Sequence, residues 1–119
     1  MLHAMMLRRL LNAIVALVLF VFGWLGCAAA VRTAGGLSGL LGTVYSVALL
    51  TLSAIAAHRT RLRILEAILG TLILVAAVGL LLFHLTEMRY DSGLPFHTAS
   101  LAAVLAGAGA YALYRRRYP

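Results

Sequence analysis

Four residues in the last third of the chain, His84, Glu87, Asp91 and His97, are of types that could do chemistry together. Imidazole nitrogens and carboxylate oxygens jointly suit zinc, manganese, iron or copper. His84 and Glu87 stand three residues apart, which puts them on one face of a helix, and His97 returns to a similar depth at the head of the next apolar run. The spacing is that of no tight metal motif. The favoured reading is a solvated loop in which Glu87 and Asp91 pair with Arg89 while the imidazoles sit at a membrane surface. A b-type haem needs two histidines at matching depth on facing helices, a condition that His84 and His97 alone approach. No cofactor is expected, with a metal or haem at this face as the lesser alternative.

Glu66 is the one acid near the inside of an apolar run, three residues after Arg63. A membrane-embedded carboxylate is a candidate for proton or cation coupling. Its shallow position and arginine neighbours favour a snorkelling ion pair instead. Cys27 reads as a small apolar residue, and one cysteine permits no internal disulfide. Thr43, Ser46, Thr51 and Thr71 are expected to bond to helix carbonyls, their own or a neighbour's. No nucleophile with its base, paired carboxylate site or phosphate-binding glycine loop is present, so an enzyme is not expected.

The elements that must position these residues are four apolar runs, Leu10 to Val31, Gly35 to Ala57, Ile64 to Leu85 and Thr98 to Tyr114. A helix of about 22 residues rises ~33 Å, enough to cross a hydrocarbon layer of ~30 Å. With 64% of its 119 residues hydrophobic and a mean hydropathy of +1.03, the chain has no room for an aqueous domain beside four spans. The expected fold is all-α, a single four-span transmembrane domain arranged as an up-down bundle.

The net charge of +7 comes from ten arginines against three acids, without lysine. In a soluble protein that balance would suggest nucleic acid. Here the arginines fall at span ends, so anionic lipid headgroups are the expected partners and nucleic acid is not. Arg8 and Arg9, then Arg59, Arg61 and Arg63, then Arg115, Arg116 and Arg117 lie on one side, against Arg32 and Arg89 on the other. The positive-inside rule puts both termini and the middle hinge in the cytoplasm. Phe20, Phe22 and Trp24, the Phe83–Tyr90–Phe96 set, and Tyr111, Tyr114 and Tyr118 fall where aromatic belts form. Arg8-Arg9, the following apolar stretch and Ala28-Ala29-Ala30 imitate a cleavable signal, but the segment is read as a span that is kept.

Small residues mark where helices approach. The second span carries Gly35, Gly39, Gly42 and Ser46. The fourth carries Ala99, Ala103 and Gly107 on one face, with Ala102, Ala106 and Ala110 on the adjacent one. Spans two and four are therefore expected to supply the close internal contacts. Spans one and three, bulkier, would face lipid or a partner. The link from His58 to Arg63 makes spans two and three antiparallel neighbours, and the stretch from Thr86 to His97 reads as the longest loop.

In length and span count the chain is similar to the small multidrug transporters. The likeness covers architecture alone: the acid which that family relies on within its first span has no counterpart between Leu10 and Val31. The function expected from the residues is that of a small non-catalytic subunit packing against larger subunits of a bacterial inner-membrane complex, respiratory or transport. The alternatives are a homo-oligomeric transporter or channel using Glu66 or the hydroxyls of the second span, and an electron-transfer or metal protein using His84 and His97 at the outer face.

Overall fold

A computed structural model describes residues 2–32, 36–90 and 94–118. It contains four helices: α1 (Leu2–Arg32), α2 (Gly36–Arg59), α3 (Arg63–Tyr90) and α4 (Leu94–Arg117). All four are long and apolar enough to cross a bilayer. A chain immersed in hydrocarbon must satisfy its backbone polar groups internally, and a continuous helix does so. The molecule measures 57 × 25 × 19 Å, so its long axis exceeds a bilayer of ~40–45 Å.

The distribution of side chains is inverted relative to a water-soluble protein. The largest fully buried side chains are His84, His97, Thr43, Thr60, Ser46, Ser53 and Ser100, while Leu10, Val18, Leu25, Leu41, Leu74, Leu82 and Leu105 are exposed. Water would punish that arrangement, whereas lipid tolerates apolar side chains outside and rewards paired polar groups inside. The four candidate spans and this inversion together mark a membrane protein.

α2 is the hub, touching the other three helices, and its longest contact is with α1. The buried positions of α1 are Ala16, Gly23, Gly26 and Ala30, and those of α2 include Gly39, Thr43, Ser46, Leu50, Ser53 and Ala57. Steps of three and four residues keep both seams facing each other, as in a left-handed pair. A Cβ on Gly26 would lie 3.1 Å from the Ser46 Cβ, and one on Gly42 would lie 3.2 Å from the Ala30 Cα, so the backbones approach closely here. Ser53 Oγ–H adds a bond of 2.7 Å to the Ala16 carbonyl across the same seam.

The expected division of labour is therefore corrected. The small face of α2 serves α1, whose glycines and alanines give it a flat seam that its bulky neighbours hide in the sequence. The α2–α4 contact exists as expected, with Gly107 set against Val47 and Thr51. On α4, Ala103 is half-buried, but Ala99, Ala102, Ala106 and Ala110 face outward. Gly35 lies outside the described residues.

The α2–α3 turn is tight. Thr60 Oγ–H bonds back to the Ala57 carbonyl at 2.6 Å and Leu62 N–H donates to Thr60 Oγ1 at 3.2 Å. Arg61 adopts a φ of 61°, a left-handed conformation normally given to glycine after a helix. At the other hairpin, the stretch read as a long loop is largely helical: α3 runs through Tyr90 and α4 begins at Leu94. Pro95 sits in the first turn of α4, where its missing N–H costs no helical bond.

Candidate functional site

Two polar clusters lie at opposite ends of α2, α3 and α4, with an apolar groove between them. The first is built from Thr43 on α2, His84 on α3 and His97 on α4. His84 and His97 bring their Nδ1 atoms to 2.8 Å, and His84 Nε2 lies 3.3 Å from Thr43 Oγ1. Both imidazoles are buried among the helices, at 2% and 0% exposure, so the expectation of a solvated loop is corrected for them. The cause is the helical extension: starting α4 at Leu94 places His97 in its first turn, on the face turned toward α3.

A bond between two Nδ1 atoms requires that one carry a proton and the other a lone pair. Two arrangements satisfy it. In one, His84 Nε2–H donates to Thr43 and His84 Nδ1 accepts from His97. In the other, Thr43 donates to His84 Nε2, and His84 Nδ1–H donates to His97. The threonine hydroxyl serves either direction, so the tie between three helices survives a tautomer exchange. As placed, the two nitrogens share a proton. Two ligands of one metal at ~2.0–2.1 Å would stand farther apart, ~3.3 Å in a tetrahedral site and ~4 Å in trans positions. Glu87 is half-buried and Asp91 lies outside the described residues. Among the described residues no three His, Cys, Asp or Glu side chains gather as a metal site. Ser100, one turn beyond His97 on α4, is buried, and its hydroxyl has no hydrogen-bond partner among the described residues.

The second cluster sits at the arginine-rich end. Glu66 lies in the first turn of α3, where the helix dipole favours an acid. Its Oε1 is 3.0 Å from His58 Nδ1 and 3.9 Å from Arg115 Nη2. An ion pair with an arginine was expected; the arginine is Arg115 on α4, and His58 on α2 lies closer. His58 Nε2–H in turn donates to the Tyr118 carbonyl at 2.6 Å. Tyr114 meets the His58 ring edge-on and stacks obliquely on Tyr118. Arg115 is exposed, and the Arg117 guanidinium lies over the Tyr118 ring at 5.9 Å.

This geometry fixes a proton count. A carbonyl can only accept, so His58 Nε2 carries hydrogen. The Nδ1–Oε1 contact then needs a second proton, on Nδ1 as an imidazolium facing a carboxylate or on Glu66 as a neutral acid. Either way the pair holds one shared proton and is neutral as a unit. Sequence spacing could not have found His58, which lies eight residues from Glu66 across a turn.

Between the clusters, α2, α3 and α4 enclose a groove of ≈ 710 Å³, lined by residues from Glu66 and Arg63 at one end to Leu80 and Val104 at the other. Leu80 and Val104, both buried, line its far end one turn short of His84 and Ser100. At the same end of the molecule as Glu66, Arg8, Arg9, Arg59, Arg61, Arg116 and Arg117 are exposed. Set against protein-family models, curated proteins and solved structures, the chain finds no match in any of the three.

Proposed function

We propose that this chain is a small non-catalytic membrane subunit that packs against larger subunits of a bacterial inner-membrane complex, with its arginine-rich end cytoplasmic. The observation that carries the reading is α4. It is the least apolar of the four helices and also the least covered within the molecule. Its outward face presents Ala99, Ala102, Ala106, Gly109 and Ala110, and a Cβ on Gly109 would meet nothing within 4 Å. Small residues gain little from lipid but let a partner helix come close. The cytoplasmic placement rests on the arginine bias. Extraction from native membranes in mild detergent is expected to give a complex well above the 12.7 kDa of the chain. A stable lone monomer would count heavily against the proposal.

A second reading, a homo-oligomeric transporter, is favoured by one feature, the groove that opens beside Glu66 and ends below the histidine tie. Substrate flux into liposomes containing only this protein, lost in Glu66→Gln, would support it. Flux indifferent to that substitution would remove its key residue.

A further inference from the structure

The groove between α2, α3 and α4 has an apolar body and a charged mouth at the same end as the arginine clusters. Its wall is Val47, Leu50, Ile73, Leu74 and Val104, thinned by Gly70 and Gly107. On the α3 side, Ala67, Gly70 and Leu74 are exposed, and nothing lies within 4 Å of a Cβ placed on Gly70. The groove is thus open sideways, toward whatever surrounds the helices. From Glu66 to Leu80 is fourteen residues, a rise of ~21 Å, which exceeds the ~15 Å depth of one hydrocarbon leaflet. Its volume lies within the ~300–1,000 Å³ typical of sites for a single small ligand.

Charge selects among the amphiphiles that could fill it. Arg63, Arg115 and Glu66 line the mouth, two guanidinium groups against one carboxyl group that His58 already engages at 3.0 Å. The Arg115 guanidinium is more than half exposed and only loosely paired with Glu66, at 3.9 Å. Arg59, Arg61, Arg116 and Arg117 deepen the positive potential around it. A planar guanidinium with spare N–H donors fits a phosphate in a paired, two-bond contact. A cationic amphiphile would have to displace His58 from Glu66 and face these arginines.

We propose that the groove seats one acyl chain of an anionic phospholipid whose phosphate is held between Arg63 and Arg115. The lipid is then a fixed part of the subunit, filling space that the three helices leave open. The site is separate from the outward face of α4, so it stands or falls independently of a partner subunit.

The test is native mass spectrometry of the full chain in mild detergent, titrated with phosphatidylglycerol, phosphatidylcholine or inorganic phosphate. One phosphatidylglycerol per chain is expected to survive activation that strips phosphatidylcholine, with a preference of roughly tenfold. Gly70→Leu, which fills the groove without striking a neighbour, should abolish that retention. Gly79→Leu, also open on α3 but outside the groove, should leave it intact and serves as the folding control. Arg115→Gln should erase the preference between headgroups while the acyl chain still binds. Equal retention of the two lipids, or retention untouched by Gly70→Leu, overturns the proposal. So does phosphate bound as well without a tail, or a groove in which Gly70→Leu disrupts a native complex and leaves lipid retention unchanged.

Discussion

At the scale of single residues, the polar groups inside this molecule act as ties between helices. Ser53 reaches across to the Ala16 carbonyl, and Ser53→Ala is expected to cost about 0.6 kcal/mol, the average for a hydrogen bond between membrane helices, in reversible detergent unfolding. His58 does more, because it holds the Glu66 carboxyl with one nitrogen and the Tyr118 carbonyl with the other. A spin label at Arg116→Cys in a Cys27→Ala background should therefore be more mobile in His58→Ala than in the parent. Equal mobility in the two would mean that His58 does not hold the C-terminal end of α4. His84 and Glu66 stood out from the sequence because their types are rare in apolar runs. His97 was read beside His84, but Thr43 and His58 were not found as partners of His84 and Glu66, since they lie 41 and 8 residues away and meet them only through helix packing.

At the scale of elements, glycine separates contact from exposure. Gly26 and Gly107 face neighbouring helices, whereas Gly70, Gly79 and Gly109 face open space. Gly26→Ala is expected to destabilise by about 1–3 kcal/mol, the usual cost of overpacking, because the Tyr45 ring and Ser46 must both give way. Gly79→Ala should lie within about 0.5 kcal/mol of the parent, as surface substitutions do. Equal effects at the two sites would mean that α1 and α2 do not meet along this seam. Arg61 takes a left-handed conformation in the α2–α3 turn, and Arg61→Gly should stabilise by up to about 1 kcal/mol in the same unfolding assay. The four helices were legible because continuous apolarity and length are local properties of sequence. Their ends were less so. Pro95 and Ser92-Gly93 suggested a loop through His97, although a proline in a first helical turn equally announces a start. The α1 seam was missed for a related reason: Ala16, Gly23 and Ala30 recur every seven residues, but Leu, Val and Phe between them dominate the composition.

At the scale of the whole molecule, α2 and α3 each touch the other three helices, and α4 is held by these two alone. The internal face of α4 carries His97, Ser100, Val104 and Gly107, and the opposite face offers alanines and Gly109 to the membrane. A helix this weakly apolar is stabilised when a neighbour covers it, which is the basis for proposing a larger assembly. The most direct measurement is photo-crosslinking in native membranes from a probe at Ala106, compared with one at Leu82, a large apolar residue exposed on α3. The account predicts that the Ala106 probe captures one discrete membrane subunit while the Leu82 probe yields mainly lipid adducts. Lipid adducts alone from Ala106, as from Leu82, would contradict it.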